Sequence, residues 1–193
     1  MSLLIPINPD RLVTEGVPGP TKVPMKALIL ALLRPEPGST VVEVGAGSGS
    51  LTLELAKAVG PGGRVIAVEG DGEALDSLRE NVRSFCLGDR VEIVEGWAPD
   101  ALEGIEAADH AVVTGARDVG PTVKVLTEDL GVKRLLVAAV TPETYTRARD
   151  ALPEGYDPKP YAFVWGRGKD LGRTTLFSGL RDQKLLLAVR GRG

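Results

Sequence analysis

Three glycines at every second position, Gly45, Gly47 and Gly49, follow a short apolar run that carries one acid, Glu43. Glycine lets a backbone turn sharply and lets a ligand approach without a Cβ clash. A helix that begins directly after such a turn offers free N–H groups. A second acid, Glu69, closes the next apolar run. In nucleotide-binding sheets an acid at this place accepts ribose hydroxyls. Strand, turn, helix, strand and terminal acid together predict a site for a nucleoside-bearing cofactor, with Glu43, Gly45, Ala46, Gly47, Ser48, Gly49 and Glu69 around it. A tight turn beside a solvent-facing carboxylate is the plainer reading of any one of these residues alone.

The elements that must hold these residues alternate. Strands are predicted at Thr40–Val44, Arg64–Glu69, Val91–Glu95, Asp109–Thr114 and Arg134–Val140. Helices are predicted at about 21–33 with Thr21 as cap, 49–59, 71–85 with Asp71 as cap, after Pro99, after Pro121 as a first helical residue, and at about 142–152 behind Thr141. Near-continuous apolar strands indicate a parallel sheet covered on both faces. Beyond residue 152 the pattern changes to three strand-like runs, Tyr161–Trp165, Thr174–Ser178 and Lys184–Val189, with no helix between them. The expectation is an α/β fold, a mostly parallel central sheet with helices on both faces and an antiparallel β-rich C-terminal tail. Residues 1–193 read as a single domain, with 1–20 as an irregular N-terminal arm and 160–190 as the tail.

Composition narrows the function classes. The net charge of -3 argues against bulk nucleic-acid binding. One cysteine, Cys86, and one histidine, His110, leave no intrachain disulfide and no zinc cluster, so no metal is expected. Cys86 reads as packing and His110 as structural. No apolar run approaches the roughly 20 residues of a membrane span, and the N-terminus has no basic flank. A soluble, cytoplasmic protein is expected. Side-chain amides are scarce: Asn8, Asn81 and Gln183.

The glycine spacing discriminates between cofactors. A dinucleotide fingerprint, G-x-G-x-x-G, needs its third glycine where Ser50 stands. The tighter G-x-G-x-G preceded by an acid resembles the first motif of class I S-adenosylmethionine-dependent methyltransferases. That resemblance implies a Rossmann-like methyltransferase fold and S-adenosyl-L-methionine as cofactor, with Glu43 and the turn facing its methionine end. It also places the loop Gly96-Trp97-Ala98 against the adenine, where Trp97 could stack on the base; a core tryptophan is the alternative.

Three further stretches resemble one family: Gly16-Val17-Pro18-Gly19-Pro20-Thr21, Glu95-Gly96-Trp97-Ala98-Pro99-Asp100-Ala101-Leu102, and Gly166-Arg167-Gly168 with Gly172-Arg173-Thr174. Over about residues 16–190 the chain is similar to the cobalamin-pathway methyltransferases that act on cobalt-precorrin-6B, methylating carbon-15 and decarboxylating an acetate side chain. The resemblance implies cofactor contacts at Thr21, Gly45 through Gly49, Glu69 and Ala98, a tetrapyrrole (cobalt-precorrin) substrate near Gly19 and Pro20, and a homotetramer assembled through the tail strands. The chain departs from the family at two places. Trp97 stands where the family commonly has an acid, and Thr114-Gly115-Ala116-Arg117-Asp118 replaces a more glycine-rich loop that faces substrate.

A corrin precursor carries many carboxylates, and arginine forks suit carboxylates best. Arg117, Arg167 and Arg173 are the candidates to hold it, each against the alternative of a solvated surface charge; Lys169 and Asp170 are weaker ones. Methyl transfer needs mainly alignment, so the lack of a triad, metal or active cysteine is no obstacle. A class I methyltransferase for RNA or protein and a non-catalytic nucleotide-binding module are the competing functions. The acidic pI of about 5.3 speaks against the RNA version.

Overall fold

Val41 and Val42 are neighbours on one strand, so their side chains point to opposite faces, yet both are wholly buried. A strand like this must be covered on both sides. The computed structural model describes residues 6–15 and 21–191, with residues 167 and 177–181 described by backbone alone. It shows one seven-stranded sheet in the order β3-β2-β1-β4-β5-β7-β6. The strands β1 (Thr40–Val44), β2 (Arg64–Glu69), β3 (Val91–Glu95), β4 (His110–Val113) and β5 (Arg134–Ala139) are parallel. The helices α1 (Val23–Leu33), α2 (Ser50–Val59) and α3 (Gly72–Ser84) pack on one face, where Ile29, Leu55 and Leu78 meet Val41, Val65 and Leu136. The helices α4 (Val119–Lys124) and α5 (Pro142–Asp150) cover the other, where Val123 and Ala148 join the cluster of Val42, Ile66 and Leu135. The strand order reverses between β1 and β4, the place where open α/β sheets bind ligands.

The tail departs from expectation. The last two strand-like runs belong to one strand, β7 (Thr175–Arg190), which pairs with β6 (Tyr156–Asp170) in a single long hairpin. The register shifts between Trp165 and Arg167, and this bulge carries the pairing through the stretch that looks like a break in sequence. β7 enters the sheet antiparallel to β5, from Lys184 opposite Ala139 to Val189 opposite Arg134. Residues before Lys184 pair only with β6, so the hairpin extends past the carboxyl ends of the parallel strands as a two-stranded ribbon.

Two helix starts also differ. Lys22, not Thr21, stands at the cap position of α1, and no side chain caps that helix. α4 begins at Val119, two residues before Pro121, and runs on as a π-helical turn over Val125–Asp129. Pro121 is still within the first turn, where backbone N–H groups lack intrahelical partners. Cys86 does not pack: it is exposed, in a left-handed conformation at the end of α3.

The arm is held more firmly than its composition suggests. A short 3₁₀ turn at Pro9–Arg11 is capped by Asn8. The Ile7 N–H donates to Glu54 Oε1 at 2.7 Å, and the same oxygen accepts from Lys26 Nζ at 3.1 Å. Lys26 and Glu54 are both 2% exposed, a buried ion pair between α1 and α2. Among the described residues no helix is long and apolar enough to cross a membrane.

Removing one member of a buried pair leaves an uncompensated charge, which costs about 3–5 kcal/mol. Glu54→Ala is expected to lose that much in urea unfolding, whereas Lys26→Met with Glu54→Leu loses far less. Equal losses in the two variants would refute an electrostatic role for the pair.

Candidate active site

The turn after β1 is closed by backbone contact. Gly45 has a φ of +81°, and a Cβ on it would lie 2.5 Å from the Gly115 carbonyl oxygen in the turn after β4. No side chain fits there. Thr114 Oγ1 fastens the same junction by donating to the Gly45 carbonyl at 2.8 Å. α2 then starts at Ser50 behind Gly49, whose lack of a side chain leaves the helix without a side-chain cap.

Glu69, at the end of β2, faces this turn. Its Oε2 accepts from the Gly47 N–H at 2.7 Å. Its Oε1 accepts from the Gly70 and Asp71 N–H groups at 2.8 and 2.9 Å. A carboxylate has about four acceptor positions, so three bonds leave room for one more donor. The expectation of two ribose hydroxyls on Glu69 would require Gly47 to let go.

Around Glu69 opens a cleft of about 630 Å³. The structure brings Thr21, Gly45, Ala46, Gly47, Ser48, Glu69, Trp97 and Arg117 together on its wall. Ala98 is buried beside it, on a cavity of about 10 Å³ shared with Glu69, Trp97 and Ala116. Gly49 packs beneath, where a Cβ would lie 2.5 Å from Leu78. Gly19 and Pro20 lie outside the described residues, as does the side chain of Arg167. Arg173 is exposed at the tip of the β6–β7 hairpin and does not line the cleft.

Glu43 also departs from expectation. It shares the strand face of Val41, so it points under α2 and not into the cleft. It is 1% exposed, and its Oε2 accepts from Thr52 Oγ1 at 2.6 Å. Burial pushes its pKa up to about 8; the Thr52 hydrogen bond opposes this and the Glu69 charge adds to it.

Trp97 is flanked on two sides. A Cβ on Gly70 would lie 2.3 Å from the indole Cδ2 and Cε2, so the ring lies flat against that glycine. The Arg117 guanidinium carbon sits 3.6 Å from the ring centroid, a cation–π contact. Both groups cannot stand at the centre of one face, so they hold the indole between them.

The model of the precorrin methyltransferase domain matches residues 19–178. This chain belongs to the precorrin methyltransferase family. It is 34% identical to a probable cobalt-precorrin-6B C(15)-methyltransferase (decarboxylating) of Pyrobaculum calidifontis, over 93% of this chain and 94% of that one. It is similar in structure to the precorrin 8W decarboxylase of Methanobacterium thermoautotrophicum, with a TM-score of 0.84 and 33% identity over 95% of this chain and 98% of that one. A precorrin-6y C5,15-methyltransferase from Geobacter metallireducens shares the fold, with a TM-score of 0.86 at 24% identity, covering 98% and 100%.

Several residues of this precorrin methyltransferase site have no sequence signal of their own. Ser50 lines the cleft, and its hydroxyl is buried beneath that wall with no hydrogen-bond partner among the described residues. Val140 lines the cleft and is 75% exposed. Asn81, on α3, is fully buried. Its Nδ2 donates to the carbonyls of Val13 and Ser48, both at 2.8 Å, while its Oδ1 accepts from the Val13 N–H at 2.8 Å. One amide thus ties the arm to the glycine turn. Its signal was only the scarcity of amides.

The raised Glu43 pKa sets a pH dependence. The folded state keeps a proton that the unfolded chain releases above its ordinary pKa of 4.5. That stabilisation is complete below pH 4.5 and fades as pH rises to about 8, by about 1.4 kcal/mol per unit at most. Glutamine is neutral throughout. The stability of Glu43→Gln relative to the unaltered protein is therefore expected to rise between pH 5 and 8 in urea titrations; parallel profiles would refute a neutral Glu43.

Proposed function

We propose that this chain is an S-adenosylmethionine-dependent methyltransferase that methylates carbon-15 of a cobalt-precorrin and decarboxylates its acetate side chain in cobalamin biosynthesis. The observation that carries the reading is Glu69. It stands at the end of β2, one strand from the switch point between β1 and β4, held by the glycine turn, on the wall of a cleft that Ser50 and Arg117 also line.

The cleft's donors and acceptors fit this cofactor. The remaining acceptor position of Glu69 meets a ribose hydroxyl. Ser50 Oγ and the N-terminus of α2 meet the carboxylate of the methionine end, where the helix dipole favours negative charge. Thr21 lines the cleft from the arm side, and in sequence it follows Gly19 and Pro20, which the family resemblance assigns to the substrate. Arg117 presents a fork to a substrate carboxylate. The cofactor supplies an electrophilic methyl on a sulfonium. These residues align it with the acceptor carbon, and alignment of this kind is worth up to about 7–11 kcal/mol. When the acetate C–C bond breaks, carbon dioxide leaves and its electron pair passes into the conjugated ring; a proton from water then completes the methyl group, so no dedicated base is required. We read the assembly as a cytoplasmic homotetramer joined through the β6–β7 ribbon, which exposes Val164, Leu171 and Leu176.

Incubation with a cobalt-precorrin mixture and S-adenosylmethionine is expected to add the mass of a methyl group and remove that of carbon dioxide. Cofactor binding with neither change would refute the acceptor. Glu69→Ala is expected to weaken cofactor binding by about 1–3 kcal/mol, and Glu69→Gln, which keeps one acceptor oxygen, by less. Unchanged affinity in calorimetry would refute the ribose contact. Light scattering is expected to give a mass near four chains of 20.3 kDa; a monomer would refute the tetramer.

A further inference from the structure

The position directly after the ribose-facing acid is a glycine, Gly70, and it has no side chain to offer a base. The Trp97 indole fills that space, lying flat on the glycine. Its outer face is turned to the cleft, the geometry of a stacking platform. In this structure that face is not open. The Arg117 guanidinium covers it at 3.6 Å. Arg117 makes no hydrogen bond or ion pair among the described residues, and its neighbour Asp118 does not pair with it. The ring contact is therefore what holds the guanidinium. The cavity between Trp97, Ala98 and Ala116 measures only about 10 Å³, room for a water at most. The room lies on the cleft side, where Trp97 and Arg117 share the wall, and a purine stacked on that face of the indole would take the place of the guanidinium.

We propose that Arg117 keeps the place of the cofactor's purine on Trp97, and that purine entry turns the guanidinium toward the acceptor's carboxylates. The inference rests on the methyltransferase reading above and goes beyond it by setting an order. Cofactor binds first, and the acceptor meets a free guanidinium only afterwards. Stacked, the guanidinium is partly screened by the indole; released into the cleft, all its N–H donors can take a carboxylate fork. Arg117 is thus both a competitor of the cofactor and a ligand for the acceptor. Trp97 links the two roles.

This makes an uncommon sign prediction. Removing a cleft residue usually weakens binding, but Arg117→Ala removes a group that must be displaced. S-adenosylhomocysteine, titrated calorimetrically into the protein without acceptor, is expected to bind Arg117→Ala about 3- to 10-fold more tightly than the unaltered chain, the range of a cation–π contact. In Trp97→Ala the ligand binds more weakly, and adding Arg117→Ala to it brings no tightening. A second readout is fluorescence. With Trp165→Phe, Trp97 is the remaining tryptophan, and its emission is expected to change on S-adenosylhomocysteine binding and, in the same direction, on Arg117→Ala alone.

Unchanged or weaker binding by Arg117→Ala would overturn the inference, as would equal tightening with and without Trp97. No S-adenosylhomocysteine binding by the unaltered protein would overturn the methyltransferase reading itself.

Discussion

Glu69 ties together the ends of three strands. Its carboxylate holds Gly47 in the turn after β1 and Gly70 and Asp71 in the turn after β2. Its own carbonyl accepts from the Gly96 N–H after β3 at 2.8 Å. The turn after β4 is then fixed against Gly45 by close backbone packing and by Thr114. Four loops thus meet around one residue, 7% exposed, whose charge, among the described residues, is satisfied by backbone dipoles and not by a cation. The cleft has its shape because these loops cannot move apart without unpairing that carboxylate.

The parallel half of the fold was legible because its signals are local. Apolar runs, a glycine turn and caps at Asp71 and Thr141 each declare themselves within a few residues. Both of those caps bond as expected, Asp71 to Ala74 N and Thr141 to Thr144 N. What failed depends on distant partners. The side on which Glu43 lies follows from strand alternation, but its burial depends on Thr52 in α2. Thr21 has the right residue type for a cap, yet the chain leaves it on the cleft wall. Asn81 and Ser50 acquire their surroundings from residues far away or next door in ways no spacing encodes. In the tail, a bulge hides the continuity of β7. Arg173 looked like a ligand for the substrate and stands on a hairpin tip, roughly nine strand residues, or about 30 Å, beyond the end of β5.

The two loops that the sequence resemblance sets apart, 95–98 and 114–118, fall together in space. Trp97 after β3 and Arg117 after β4 belong to those two loops, and the two side chains are in contact. Gly70 is the third partner, since any side chain there would collide with the indole. Three positions scattered over 48 residues form one local arrangement, so a substitution at any of them is read by the other two. The arm shows the same coupling on the opposite side of the cleft, where Asn81 joins Val13 to Ser48.

The place of β7 has a consequence for biosynthesis. Leu185–Ala188 is at most 3% exposed and flanked by strands on both sides, yet it leaves the ribosome after every other strand of the sheet. Until it arrives, β5 is an open edge whose Leu135, Leu136 and Val137 are apolar on both faces. An unpaired edge of that kind invites pairing with other chains. A chain stalled or cut before Lys184 would carry every residue found on the cleft wall and still present a sheet that has no closing strand.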